Sequence, residues 1–164
     1  MKSKNKSRMN KIVLLALSVL VPLVAGFVGS AFTLQSLPTW YAGLVKPPFN
    51  PPNWLFGPVW TTLYIAMGVS LFLVVTTEKK SKNINHALSL FFTQLVFNAL
   101  WSILFFGMKN PELAFTEIVF LWSLIYLTIT NFLRINKTAG LLLIPYLTWV
   151  SFATILNLSI AILN

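Results

Sequence analysis

The sequence predicts an all-α integral membrane protein, a bundle of five transmembrane helices with a long proline-rich extracytoplasmic loop between helices 1 and 2. Three observations carry this prediction. Hydrophobic residues make up 57% of the 164 positions and charged residues 9%, against about 25% charged in an average soluble protein, so a water-facing surface could not be coated. Five continuous apolar stretches are each long enough to cross a hydrocarbon core of about 30 Å as a helix. The basic residues fall in short runs between those stretches rather than on one face of a domain, which argues for membrane orientation and against a nucleic-acid partner.

Taken in order, residues 1–11 form a basic cytoplasmic tail, and residues 12–164 form a single membrane domain. Its helices lie near 12–34, 56–77, 85–106, 112–133 and 139–162. None of these stretches alternates in polarity, as a transmembrane barrel would require. The first is too long for a signal peptide and no small-residue cleavage site ends it, so it is a retained helix. Lys2, Lys4, Lys6, Arg8 and Lys11 precede helix 1, Lys79, Lys80 and Lys82 follow helix 2, and Arg134 and Lys137 follow helix 4. Ten of the 12 cations therefore share one side, with only Lys46 and Lys109 on the other. The positive-inside rule places the N-terminus in the cytoplasm and the C-terminus outside the cell membrane. Pro22 and Pro145 bend their helices.

The connection between helices 1 and 2, residues 35–55, is the least ordinary part of the chain. Residues 40–60 read WYAGLVKPPFNPPNWLFGPVW, with five prolines and three tryptophans in 21 positions. Proline fixes φ and lacks a donor, so the pairs at 47–48 and 51–52 make a stiff, extended frame. Gly57-Pro58 ends the loop and opens helix 2, with proline in the first turn. Trp40, Phe49 and Trp54 hang from this frame as a lid, although Trp40 and Trp54, like Trp122, also suit an interfacial aromatic belt.

Depth along each helix, at about 1.5 Å per residue, brings the remaining unusual residues to one level beneath the loop. Trp60 and Tyr64 are one turn apart on helix 2. Gln94, Asn98 and Trp101 form a stripe on helix 3, and Tyr146, Trp149, Ala153 and Asn157 form another on helix 5. Buried amides in lipid are costly unless they face a partner or a cavity, so the expectation is a pocket of indole, phenol and a few amides, suited to a flat, weakly polar ligand. Glu117, near the same level, either pairs with Lys109 or Lys46 or stays protonated. Small residues mark close helix contact: Gly26 and Gly29 on helix 1, Ser89 and Thr93 on helix 3, within the bundle or across a homodimer.

Other chemistry is excluded by composition. There is no cysteine, one histidine (His86) at a helix end, no aspartate and only three glutamates, so no metal site and no hydrolytic constellation is expected.

The stretch WYAGLVKPPFNPPNWLFGPVWTTLY, with AGFVGS in helix 1, NALWSILFFG in helix 3 and PYLTWVSFATILN in helix 5, resembles the TspO/MBR family of tryptophan-rich sensory proteins, related to the mitochondrial translocator protein. The resemblance runs from about residue 20 to 157. It implies a five-helix bundle, often dimeric, with no required cofactor, that binds porphyrins and benzodiazepine-site ligands beneath the first loop and acts in tetrapyrrole transport, sensing or regulation. It also implies an alternative, light-dependent porphyrin degradation, in which Trp60 and Trp149 match the two tryptophans involved. Tyr64, Asn98, Trp101, Ala153 and Asn157 fall on positions associated with that pocket. Animal members follow the final asparagine with the tyrosine and arginine of a proposed sterol motif. Here Asn157 is followed by LSIAILN, so high-affinity cholesterol binding is not implied.

Overall fold

A computed structural model describes residues 2–77 and 83–164, with side chains from residue 9 onward. Lys79, Lys80 and Lys82 and the side chains of Lys2, Lys4, Lys6 and Arg8 lie outside the described residues. Every regular element described is helical: α1 (Lys2–Ser36), α2 (Trp40–Gly43), α3 (Asn53–Val75), α4 (Ile84–Ser102) continuing into a π-turn (Ile103–Gly107), α5 (Pro111–Ile135), α6 (Lys137–Leu142) and α7 (Ile144–Leu163). Five segments are long and apolar enough to cross a membrane: Met9–Ser36, Asn53–Val75, Ile84–Gly107, Pro111–Ile135 and Lys137–Leu163. α1 packs on α3 and α4, α5 on α4 and α7, and α6 closes the gap between α5 and α3.

Three boundaries differ from the sequence reading, each for a local reason. Helix α1 continues upstream through the basic segment to Lys2, because no proline or glycine interrupts residues 2–21. Helix α3 starts at Asn53, directly after the extended Pro52 (ψ 143°), so Pro58 stands inside the helix rather than opening it. The helix tolerates this because Pro58 lies only in its second turn, where the missing donor costs a single bond to the Trp54 carbonyl. The fifth span is broken at Leu143 into α6 and α7, since Pro145 cannot donate to the preceding turn and begins a new helix. By contrast Pro22 lies within a continuous α1.

The ends of the helices are capped by sequence. Asn110 accepts from Leu113 N at 2.9 Å and Asn136 accepts from Ala139 N at 3.1 Å, each satisfying an amide that a helix start leaves free. Pro111 and Glu112 follow Asn110 in the first turn of α5, where proline loses nothing and a carboxylate suits the helix dipole.

Away from the loop the bundle is solid. Met67, Val74, Phe91, Phe132 and Val150 are fully buried in one cluster, and Phe91 stacks on Phe132 with centroids 5.6 Å apart. Ser70 Oγ donates to the Ala139 carbonyl at 2.7 Å, tying α3 to α6. The closest crossing is between α1 and α3: a Cβ on Gly68 would overlap the backbone of Val19, and one on Gly26 would overlap the Tyr64 ring. Gly29 faces Ser102 of α4. Gly68, outside the small-residue pattern read from the sequence, lets two backbones approach, while Gly26 and Gly29 make room for side chains of α3 and α4. Ser89 and Thr93, in contrast, are exposed on the outer face of α4 and make no close crossing inside the bundle.

Candidate functional site

Under the loop the same helices diverge around a cavity of about 490 Å³. Among the residues predicted for a pocket, Trp54, Trp60, Tyr64, Asn98, Trp101, Trp149, Ala153 and Asn157 line it. They come from α3, α4 and α7, and α1 supplies a fourth wall through Leu23, Gly26 and Phe27. Among the described residues, no charged side chain, histidine or methionine is on the lining. Trp60 stacks on Tyr64 at 5.5 Å and 26°, Trp101 stacks on Phe105 at 5.2 Å and 25°, and Phe56 meets Trp149 edge-on at 6.0 Å. Large flat rings held edge-on and offset cannot fill space as branched aliphatic chains do, and the gap among them is the cavity.

The polar groups on this wall are mostly committed to each other. Tyr64 Oη donates to Asn98 Oδ1 at 2.6 Å, Asn98 Nδ2 donates to Tyr146 Oη at 3.1 Å, and Tyr146 Oη donates to Gln94 Oε1 at 2.9 Å. This chain of bonds joins α3, α4 and α7 and satisfies buried groups that would otherwise be costly in hydrocarbon. Trp101 Nε1 donates to Asn157 Oδ1 at 2.9 Å, and Asn157 Nδ2 donates to the Pro111 carbonyl at 2.7 Å. Trp149 differs: its Nε1 is buried with no acceptor among the described residues.

Three predicted pocket residues are placed elsewhere. Tyr146 is 1% exposed and lies one layer behind the lining, meeting Trp60 edge-on at 6.1 Å. Its stripe was sound, but at its end of α7 the bundle has already closed. Trp40 packs edge-on against the back of Phe105 at 5.5 Å, and Phe49 packs against Phe152 of α7 at 6.3 Å. Between α1 and α3 the lining residues are instead Leu37 and Tyr41, and Tyr41 replaces Trp40 because residues 40–43 form a helical turn that swings neighbouring side chains about 100° apart. Treating the loop as wholly extended put Trp40 where Tyr41 belongs. Burial pushes the Tyr41 phenol up from its ordinary value, with the hydrogen bond to Asn50 pulling the other way.

The loop is nonetheless a stiff cover. Tyr41 Oη donates to Asn50 Oδ1 at 2.8 Å, and Lys46 Nζ donates to the Leu44 carbonyl at 2.9 Å while lying 4.9 Å from the Tyr41 ring centre. Asn164 fastens it to α7, accepting from Val45 N and donating to Val45 O, both at 3.0 Å. Lys46 is thus occupied within the loop, and Glu117 is buried with neither carboxyl oxygen hydrogen-bonded among the described residues. The pairing of Glu117 with Lys46 or Lys109 is not formed, and Glu117 does not line the cavity.

Sequence reading missed the contributions of α1 and of Phe105 and Phe106. The α1 lining mixes Leu23, Gly26, Phe27, Ser30, Thr33 and Leu34, residue types too ordinary in a membrane helix to mark a pocket face. The two phenylalanines are brought inward by the π-turn. One side of the cavity is bordered by exposed side chains, Phe27 (76%) and Leu34 (67%) of α1 and Trp54 (71%) of α3, so its mouth lies between α1 and α3.

Comparison with known proteins agrees with this architecture. The TspO/MBR family model matches residues 18–163. A tryptophan-rich protein TspO from Chlorobaculum tepidum is 49% identical over 157 residues, 95% of this chain and 99% of that protein. A tryptophan-rich sensory protein from Cereibacter sphaeroides is 38% identical over 125 residues, covering 76% and 77% of the two chains. The translocator protein of Homo sapiens is 38% identical over 143 residues, covering 84% and 82%.

Proposed function

The chain belongs to the TspO/MBR family as a multi-pass membrane protein, and from that premise we propose that its cavity binds porphyrin-type tetrapyrroles in the service of their transport, sensing or regulation. The observation that carries this reading is a space of about 490 Å³ with no charged group among its described lining residues, walled by four indoles, Tyr64 and Phe105. It is of a size usual for small-molecule sites, which run from about 300 to 1,000 Å³. Flat ring faces favour a flat aromatic ligand through stacking and edge contacts. A wall without charges favours insertion of the ligand's apolar edge, leaving any carboxylates at the mouth. Benzodiazepine-site compounds, smaller and aromatic, suit the same walls.

In the same reading the N-terminus is cytoplasmic and the cavity lies toward the exterior leaflet of the cell membrane, with the exposed face of α4 around Ser89 and Thr93 available to a second copy in a homodimer. The decisive experiment is a fluorescence titration with protoporphyrin in proteoliposomes. Trp60→Ala and Trp149→Ala should each weaken binding about tenfold, the equivalent of roughly 1.4 kcal/mol of lost ring contact, whereas Trp122→Phe, off the lining, should leave it unchanged. Equal affinity in all three variants would refute the assignment.

A second reading, light-dependent porphyrin degradation, draws on the same wall. Trp60 is stacked on Tyr64, whose hydroxyl is hydrogen-bonded to Asn98, and the Trp149 indole N–H has no acceptor among the described residues. An illuminated porphyrin against these rings would take one electron from an indole and pass it to dioxygen, leaving an indole radical cation and superoxide, and the reduced oxygen would be the oxidant that opens the macrocycle. Loss of protoporphyrin absorption under light should then be several-fold slower in Trp60→Phe/Trp149→Phe protein. Equal rates would reduce the protein to a binder.

A further inference from the structure

The end of α4 is not α-helical. Met108 N donates to the Ile103 carbonyl at 2.7 Å, a bond five residues back, and Asn110 N reaches the Leu104 carbonyl at 3.1 Å. An ordinary α-helix would have sent the Asn110 amide to the Phe106 carbonyl. In this register the Phe106 carbonyl is left over, and Ser36 at the end of α1 supplies the donor: its Oγ lies 2.7 Å away, and Ser36 is buried. Single π-turns inside helices commonly mark functional sites. This one turns Phe105 and Phe106 toward the cavity lining, where Phe105 carries Trp101 on its face.

Two further features accompany this register. Lys109, two residues beyond the turn, has φ 53°, a left-handed conformation that a residue with a Cβ avoids unless its surroundings hold it there. Gly107 meets α1 so closely that a Cβ there would stand 2.8 Å from the Phe32 ring. The α-helical alternative needs no outside donor, because Asn110 N would then satisfy Phe106 O. The two arrangements differ by one residue of register, which turns the side chains beyond it by about 100°.

We infer that Ser36 is a positioning residue for ligand selection: by holding Ile103–Gly107 in the π register it keeps the Phe105 and Phe106 wall turned inward, and so sets the cavity to accept a broad flat ligand. The inference rests on the tetrapyrrole reading for the identity of that ligand, but not for the mechanical role of Ser36. In a hydrocarbon setting a carbonyl without a donor is strongly disfavoured. Removing the hydroxyl therefore favours the α register, which withdraws that wall and reshapes the cavity.

The test uses the full chain in nanodiscs, comparing parent, Ser36→Ala and Ser36→Thr, with protoporphyrin and a two-ring boron-dipyrromethene dye as probes. Ser36→Ala should lose at least fivefold in protoporphyrin affinity while changing less than twofold for the smaller dye, and Ser36→Thr, which retains the hydroxyl, should stay near the parent. Amide exchange at Lys109 supplies a measure that needs no ligand: its N–H donates to no carbonyl among the described residues in the π register but would donate to Phe105 O in the α register, so exchange should slow at least tenfold in Ser36→Ala and not in Ser36→Thr. Equal losses for both probes, or Lys109 exchange unchanged in Ser36→Ala, would overturn the inference. If no variant, parent included, binds protoporphyrin, the tetrapyrrole reading fails, and Lys109 exchange still decides whether Ser36 holds the turn.

Discussion

The half of the bundle beneath the loop and the half away from it are made from the same five long helices, but they fill space differently. Away from the loop, Leu, Ile, Val and Met interdigitate around Phe91 and Phe132, and glycines bring α1 and α3 into backbone contact at Gly68. Beneath the loop the side chains are rings, and polar bonds such as Trp101–Asn157 and Tyr64–Asn98 hold them apart in fixed orientations. Branched chains adapt to close gaps, whereas an indole fixed at both its ring face and its nitrogen does not. The difference teaches that the hollow is a product of side-chain class and hydrogen bonding rather than of helix length or hydropathy.

That contrast can be broken from either half. The largest effect belongs to Gly68. Gly68→Ala should cost at least about 3 kcal/mol through overpacking against the Val19 backbone, and Gly68→Leu should yield no folded protein, as read by thermal unfolding in detergent. Next, Phe132→Ala should lower stability by about 3–5 kcal/mol yet leave protoporphyrin affinity per folded molecule within twofold, since Phe132 is remote from the lining. A large affinity loss there would show that the two halves are not separable. Trp101→Phe preserves a flat ring but strands Asn157 Oδ1, at about 1–3 kcal/mol; denaturant midpoint and ligand affinity should both fall. The smallest change is Tyr64→Phe, at the low end of about 1–3 kcal/mol, because the Asn98 Oδ1 it leaves unpaired borders the cavity. It sharpens the comparison because the stack on Trp60 survives while the bond to Asn98 does not, so an affinity loss beyond twofold would assign the hydroxyl a direct part in binding.

The sequence made the hollow half more legible than its size would suggest. Trp60, Tyr64, Asn98, Trp101, Trp149 and Asn157 announce themselves because indoles and amides are conspicuous in a lipid-soluble chain, and their helical spacing fixes which face they share. Tyr146 was read onto the correct stripe and the wrong layer, since spacing gives azimuth and not the depth at which neighbouring helices converge. Trp40 and Tyr41 exchanged places because one turn of helix inside a proline-rich segment leaves no periodic trace in four residues. The π-turn was beyond reach for a different reason. Its register depends on Ser36, 70 positions away along the chain, and no local pattern in ILFFG reports a donor arriving from another helix.

The mouth between Phe27, Leu34 and Trp54 has a consequence for how affinity must be expressed. Phe27 and Leu34 are exposed on a segment long and apolar enough to cross a membrane, so for a compound that enters here through the bilayer the concentration that governs occupancy is its mole fraction in the lipid phase. Dissociation constants referred to total aqueous volume will drift with the lipid-to-protein ratio, while those normalised to the membrane will not. Ranking compounds by the aqueous value would therefore sort them by oil–water partition as much as by fit.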